Sequence, residues 1–313
     1  MDLVSLADVR AAADDIAGTV VRTPLLPTLW DDELWLKPES LQPVGSFKLR
    51  GATHAVAWLD PAARARGVVT HSSGNHGQAL AYAARAAGVP CTVLVPEGAP
   101  QVKVDRIRAL GAEVRLVPPA RRLAEAERVA ADTGAALVPP FDDRRIIAGQ
   151  GTIGLEIVAD LPDVDVVLVP VGGGGLSSGV ATAVKALRPS ATVIGVEPLL
   201  AADARDSLAA GEVVVWDVER TYRTSADGLR THLSALTLAH LAERLDGIVA
   251  VSEEEISAAM GRLVREARLV VEPSAAVAVA ARLFHRDELP AGHTVAVVTG
   301  GNVDPAVLAS VLA

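Results

Sequence analysis

Short apolar runs alternating with longer helical patterns predict an α/β protein with parallel sheets and helices on both sheet faces. Three observations carry that expectation. β-branched, apolar runs recur at 68–71, 91–95, 113–117, 165–170, 192–197, 248–251 and 294–299. They are apolar at successive positions rather than at alternate ones, as strands covered on both faces are. Helical patterns at 77–87, 103–110, 121–131, 151–159, 176–187, 253–267 and 274–284 lie between them, and a repeated strand-then-helix order implies crossover connections and parallel pairing.

Taken in order, these elements carry their own punctuation. The helix at 77–87 is stopped by Gly88-Val89-Pro90, and Cys91-Thr92-Val93-Leu94-Val95 then reads as a buried strand in which Cys91 acts as a small core hydrophobe. The helix at 253–267 starts at Ser252, followed by Glu253-Glu254-Glu255. Residues 58–143 supply three or four strand–helix units of their own and read as a small inserted α/β domain. Residues 1–57 and 144–313 form the larger domain, with a ligand cleft between the two at the carboxyl ends of the strands. There is no internal repeat, heptad pattern or low-complexity tract. Half of the residues are apolar and only 3% are aromatic, so the core is built from many small Ala and Val contacts.

Composition excludes several functions. The 313 residues carry 29 Lys plus Arg against 38 Asp plus Glu, a net charge of -9, with no basic run that tracks a phosphate backbone, so no nucleic-acid partner is expected. A single cysteine rules out an intrachain disulfide framework and a multi-cysteine metal site. The N-terminus lacks the basic and apolar regions of a signal peptide, and no uninterrupted apolar stretch of about 18 residues is present, so no membrane span is expected and the protein reads as cytoplasmic.

Three segments carry chemistry. Gly172-Gly173-Gly174-Gly175-Leu176 follows the strand 165–170 and opens a helix. Glycines there let the backbone approach a ligand and aim N–H groups and the helix dipole at an anion, which favours phosphate binding over a merely flexible turn. No Gly-Lys dipeptide occurs, which excludes a P-loop, and Ser177 and Ser178 stand where dinucleotide spacing needs glycine. The second segment is Gly45-Ser46-Phe47-Lys48-Leu49-Arg50-Gly51. The chain has four lysines, Lys37, Lys48, Lys103 and Lys185, and uses Arg elsewhere; only a lysine amine can shed its proton and act as a nucleophile, although taken alone Lys48 reads far more readily as a surface lysine near a helix start. The third is His71-Ser72-Ser73-Gly74-Asn75-His76-Gly77-Gln78, a loop of donors able to grip a carboxylate or a ring oxygen, in which Asn75 serves equally well as a helix cap.

A lysine amine, a phosphate cradle and a donor-rich loop together describe a pyridoxal phosphate site. The chain resembles the fold-type II pyridoxal phosphate enzymes, in particular the serine/threonine dehydratase and serine racemase group. The resemblance lies in the segment from Lys37-Pro38-Glu39-Ser40 to Gly51-Ala52, in Ser72-Ser73-Gly74-Asn75-His76-Gly77-Gln78-Ala79, in Ala148-Gly149-Gln150-Gly151-Thr152, in Gly172 to Gly175 and in Thr299-Gly300-Gly301-Asn302-Val303-Asp304. It covers essentially the whole chain and implies the two-domain architecture of tryptophan synthase β, with the active site in the interdomain cleft.

The resemblance implies a role for each matching residue. Lys48 joins the cofactor pyridoxal 5'-phosphate and later moves the substrate Cα proton. Phe47 packs beside the cofactor ring and Asn75 bonds its hydroxyl. Gly172, Gly173, Gly174, Gly175 and Leu176 hold the phosphate. Thr299 stands where the family has Ser facing the pyridine nitrogen, and Glu272 matches a glutamate near the cofactor. Ser72, Ser73 and His76 line the substrate carboxylate, with help from Arg122, and Ser73 is the hydroxyl that reprotonates the opposite face in racemase-like members. The resemblance further implies a Mg or Ca ion on Glu197, the Ala201 carbonyl and Asp203, oxygen ligands suited to a hard cation; the plainer reading is a strand-end acid followed by a helix-start Asp. It also implies a homodimer.

Thr299 bears on the reaction. A neutral hydroxyl cannot protonate the pyridine nitrogen, so a long-lived carbanion is disfavoured and loss of the α-proton is best coupled to departure of a group on Cβ. The expected activity is therefore an ammonia-lyase that turns L-threonine, L-serine or a related β-hydroxy amino acid into the 2-oxo acid and ammonia. Serine or aspartate racemisation and β-replacement are the alternatives on the same scaffold, and a non-catalytic phosphometabolite-binding module is the alternative from another class. With the sequence ending at Ala313, no C-terminal regulatory domain, and hence no isoleucine feedback through one, is expected.

Overall fold

The computed structural model describes residues 2–72 and 74–312. In chain order its elements are α1 (Leu6–Ile16), β1 (Leu26–Pro27), β2 (Leu34–Pro38), α2 (Lys48–Ala57), α3 (Pro61–Arg66), β3 (Val68–His71), α4 (Asn75–Ala86), β4 (Cys91–Pro96), α5 (Gln101–Ala109), β5 (Glu113–Val117), α6 (Arg122–Thr133), β6 (Ala136–Leu137) and α7 (Arg144–Asp160). They continue with β7 (Val166–Pro170), α8 (Gly175–Leu187), β8 (Thr192–Pro198), α9 (Asp203–Ala210), α10 (Val218–Thr221), α11 (Ala235–Arg244), β9 (Gly247–Val251), α12 (Glu253–Arg265), α13 (Pro273–Phe284), β10 (Thr294–Val298) and α14 (Pro305–Ser310).

The strands form two sheets. One has the order β1-β2-β10-β7-β8-β9, parallel except for β1, which pairs antiparallel with β2. The other has the order β5-β4-β3-β6 and is wholly parallel. The α/β class with parallel sheets is thus what the chain adopts. Every residue of the central strands β7 and β10 is buried, whereas the edge strand β5 is buried only at Val117, so continuous apolarity marks the middle of each sheet rather than its rim.

Separate apolar layers cover the faces. Helices α12 and α13 pack on one side of the six-stranded sheet, burying Ile256, Met260, Val277 and Ala280 against Leu168 and Ala296. Helix α8 packs on the other side, burying Val180 and Val184 against Val167 and Val297. Helix α2 contributes Leu49, Ala52, Ala55 and Val56 to the layer built on Val68, Val93 and Val95, so the Lys48 helix leans on the four-stranded sheet.

The helix expected to begin at 151 begins at Arg144, where the Asp143 carboxylate accepts the Arg145 amide at 2.7 Å. Two glycines, Gly149 and Gly151, lie inside this helix. They are there for close packing: a Cβ at Gly149 would stand 2.5 Å from Gly51 Cα, and one at Gly151 would stand 2.9 Å from the Gly179 carbonyl. Strands β1, β2 and β6 were not expected, because two are only two residues long and β2 carries Lys37 and Pro38 at its end. Cys91 is buried in β4, as expected of a core hydrophobe. Among the described residues no helix is long and apolar enough to cross a membrane.

Candidate active site

Four loops at the carboxyl ends of the strands build the site. Residues 44–47 lead from β2 to Lys48, and they are stitched to the loop after β10. The Phe47 amide donates to the Thr299 carbonyl at 3.0 Å, the Gly301 amide to the Gly45 carbonyl at 2.9 Å, and Ser46 bridges Gly300. Lys48 is therefore placed by the same strand end that carries Thr299, itself buried. The Phe47 ring packs against the layer around Leu176 and Val180, with the Lys48 ammonium 5.0 Å from its centroid.

The Lys48 amine donates to the Pro140 carbonyl at 2.7 Å. Burial pushes its pKa down to about 8, and the nearby Glu272 carboxylate only partly opposes that. An amine in this setting is a usable nucleophile near neutral pH, which an exposed lysine is not.

The glycine loop follows β7. Gly174 takes a left-handed φ of 85° as the cap of α8, and the amides of Gly173, Gly174, Gly175 and Leu176 donate to no protein acceptor among the described residues. The loop is packed from behind: a Cβ on Gly173 would meet the Phe141 ring at 2.4 Å, and one on Gly174 would meet Leu233 and Thr237 at 2.8 Å. Free amides at the start of a thirteen-residue helix, with no room for side chains, suit a phosphate. Pro140 and Phe141 thus join the two parts of the site, one residue holding the lysine amine and the next backing the glycine loop.

Asn75 opens α4. Its amide nitrogen donates to Glu272 at 2.7 Å, and its amide oxygen accepts from Asn302 at 2.8 Å. Asn302 also donates to the Val44 carbonyl at 2.8 Å, so it orients Asn75 and ties it to the Lys48 loop. The pKa of Glu272 rises to about 7 through burial and the Asp227 charge. Lys103 on α5 reaches Asp227 at 3.3 Å, joining the four-stranded unit to the turn that backs Gly172.

His76 is buried and its Nε2 bonds the Val138 carbonyl at 2.9 Å. Burial and the Lys48 charge push its pKa down to about 3, so the ring is neutral and its other nitrogen, without a partner among the described residues, is an acceptor. The His76 side chain cannot donate to a carboxylate; in that role only its backbone amide, in the first turn of α4, is suitable. The Ser72 hydroxyl accepts the Gly74 amide at 3.2 Å. Arg122, at the start of α6, is exposed; after burial, its charge is what lowers the pKa of His71. Ser73 lies outside the described residues.

The candidate metal ligands lie from the end of β8, which holds Glu197, to the start of α9, which holds Asp203. Glu197 and Asp203 are buried, and Glu197 accepts the Ala204 and Arg205 amides at 3.0 and 2.9 Å, capping α9 with both oxygens. Burial pushes the Glu197 pKa up to about 8 and raises that of Asp203. Among the described residues no three acidic, His or Cys side chains converge to hold a metal, so a cation here would need backbone oxygens such as that of Ala201. Sequence reasoning missed Asn302, Pro140 and Phe141 as site residues. Asn302 lay inside a motif used only for its glycines and Thr299, while Pro139-Pro140-Phe141 follows no chemical pattern.

The residues present fit pyridoxal phosphate: a buried low-pKa amine, a side-chain-free anion cradle and a fixed Asn between them. Comparison with known proteins agrees. The family model described as pyridoxal-phosphate dependent enzyme matches residues 16–300. A serine racemase of Dictyostelium discoideum is 38% identical over 100% of this chain and 99% of its own. A beta-hydroxyaspartate dehydratase of Paracoccus denitrificans is 39% identical over 97% of this chain and 98% of its own. The crystal structure of a T.th. threonine deaminase superposes with a TM-score of 0.90 at 45% identity, covering 96% of this chain and 99% of that one.

Proposed function

Because the chain belongs to the pyridoxal-phosphate dependent enzymes, we propose that it is an ammonia-lyase that converts a β-hydroxy amino acid, L-threonine, L-serine or hydroxyaspartate, to the 2-oxo acid and ammonia. The observation that carries this reading is the Lys48 amine, buried, with its pKa lowered to about 8, one residue's reach from the backing of the glycine loop. When bound, pyridoxal phosphate supplies an electron sink for the Cα–H bond. Lys48 would bind it and move the Cα proton. The amides of Gly172 to Leu176 would hold its phosphate, Phe47 and Asn75 would hold its ring, and Thr299 would supply a neutral hydroxyl to the ring nitrogen. A neutral hydroxyl there would not protonate that nitrogen, and the chemistry supplied would favour loss of the substrate's β-hydroxyl as water. Ser72, Ser73 and the His76 amide receive the substrate carboxylate. Glu272, which fixes Asn75, is a cofactor-side residue in this reading.

Arg122 supports hydroxyaspartate among these substrates, because it carries no ion pair among the described residues and its charge reaches His71 beside the substrate loop. Racemisation is the second reading, favoured by a full-length match to a serine racemase and by the Ser73 hydroxyl. A Mg or Ca ion on Glu197, Asp203 and the Ala201 carbonyl belongs to the proposal, as do the homodimer and the small domain at 58–143; the ion neutralises two buried carboxylates and so stabilises the fold.

Borohydride treatment of cofactor-loaded protein, followed by peptide mass mapping, is expected to find the adduct on Lys48, and Lys48→Ala is expected to lose both the visible cofactor band and turnover. With hydroxyaspartate, threonine and serine in parallel, 2-oxo acid is expected to exceed D-amino acid; the reverse ratio makes the protein a racemase. Arg122→Ala is expected to lower kcat/KM about tenfold for hydroxyaspartate, as loss of a charge-assisted hydrogen bond does, and much less for threonine. An unmodified Lys48 overturns the whole reading.

A further inference from the structure

Lys48 is the first residue of α2, and α2 starts without a side-chain cap. Arg50 holds its first turn instead. This guanidinium is 0% exposed and uses all five N–H donors. Nε and Nη2 grip the two oxygens of Glu39 at 2.7 and 2.8 Å, and Nη1 and Nη2 grip those of Glu156 at 2.7 and 2.9 Å. Nη1 also donates to the Thr152 hydroxyl at 3.1 Å. Glu39 accepts further bonds from Thr23 and Gln42, and Glu156 accepts the buried Lys37 amine at 2.6 Å. Two cations and two carboxylates thus form a neutral cluster that joins the end of β2, the turn at 39–41, α2 and α7.

Stability does not explain such a cluster. Removing four charges from water costs about as much as their mutual attraction returns, and well-packed apolar side chains do as well or better. Directionality does explain it. Apolar contacts let a helix slide or rotate by a fraction of an ångström, whereas a planar fork bonded to two carboxylates fixes both its height and its rotation. We infer that the Lys37–Glu39–Arg50–Glu156 cluster is a positioning device that sets the register of α2 and thereby the place of the Lys48 amine. The inference rests on Lys48 being the cofactor lysine.

The test replaces the whole cluster with apolar residues (Lys37→Met, Glu39→Leu, Arg50→Met, Glu156→Leu) in the cofactor-loaded protein. The expected result is a Tm equal to or above that of the parent and a kcat lower by about tenfold to a hundredfold, as for a reacting group displaced by a fraction of an ångström to an ångström. KM is expected to stay within about two-fold, because the substrate loop lies on another element, and the visible circular dichroism of the bound cofactor to weaken. Parental kcat and dichroism in a folded variant overturn the inference. If the fourfold variant does not fold, Arg50→Lys decides, since it keeps the charge and loses the fork. Assayed well below its own Tm, a lowered kcat with unchanged KM and weakened dichroism supports positioning, and full recovery of kcat at that temperature shows a merely structural role and overturns it. Failure of the functional reading is separately visible, because the parent itself then takes up no cofactor on Lys48.

Discussion

The glycine loop and the serine loop hold the same place in their respective sheets, yet they are built for opposite purposes. The first follows β7, which lies between β8 and β10; the second follows β3, which lies between β4 and β6. In each sheet the chain runs outward on one side of that strand and returns on the other, so each loop opens at the point where strand order reverses and a crevice forms. After β7, side chains are absent and the backbone is walled in by Phe141, Leu229, Leu233 and Thr237. After β3, Ser72 and Asn75 keep side chains, both are half-buried, and a Cβ on Gly74 would meet nothing within 4 Å. In the proposed reading the first crevice would hold the cofactor phosphate, while the second, beyond the ring contact made by Asn75, would leave space for the substrate.

The largest effect that tests this contrast is Gly174→Ala. A left-handed φ costs a non-glycine residue about 1–2 kcal/mol, and forcing a methyl against Leu233 and Thr237 adds about 1–3 kcal/mol. Cofactor affinity is expected to fall by about a hundredfold, at 1.4 kcal/mol per factor of ten, as read by titrating apoprotein with pyridoxal phosphate. Unchanged affinity means that the loop is not the phosphate cradle.

The lysine between the loops sets the next effect. Attack on the cofactor aldehyde needs the neutral amine, so below the pKa of Lys48 the attachment rate falls about tenfold per pH unit. With the pKa lowered to about 8, the rate measured by stopped-flow absorbance is expected to climb from pH 6 and level off above pH 8, rather than climbing on toward 10.5. The sign agrees with stability: between pH 8 and 10.5 the unfolded chain holds the proton that the folded apoprotein has lost, so the contribution of Lys48 to folding falls as pH drops through that window. A plateau reached only near pH 10 shows that the amine is not desolvated.

Most of this was legible in the sequence where a residue type has only one use. Four glycines between a strand and a helix pointed to a candidate cradle, and among four lysines the surrounding motif and the family resemblance singled out Lys48. The central strands could be read from continuous apolarity. What stayed hidden depended on three-dimensional neighbours. The Pro140 carbonyl that holds Lys48 has no side-chain signature, and Asn302 reveals its role only through bonds to Asn75 and Val44. Arg50 drew no notice beside Lys48, because a lone arginine on a helix looks solvated until Glu39 and Glu156 arrive from elsewhere in the chain. His76 shows the limit most sharply. Its identity suggests a cation for a carboxylate, but burial leaves it neutral with an unused acceptor, and only the fold supplies that burial.

The smallest expected effect is the one that most directly separates the two loops. Gly74 has a negative φ of -108° and open space where its side chain would be, so alanine fits without strain. Lower entropy in the unfolded chain stabilises Gly74→Ala by about 0.4–1 kcal/mol, and alanine is a poorer N-cap than glycine by a comparable amount. The two offset, leaving Tm within about 2 °C of the parent for a chain of this size. Cofactor affinity is expected to be unchanged, with any shift confined to substrate KM and no larger than about two-fold, since a methyl there stands in open space and leaves the bonds of Asn75 to Glu272 and Asn302 intact. A loss of cofactor affinity rivalling that of Gly174→Ala breaks the division of labour, because it means that the open loop does more for the cofactor than place Asn75.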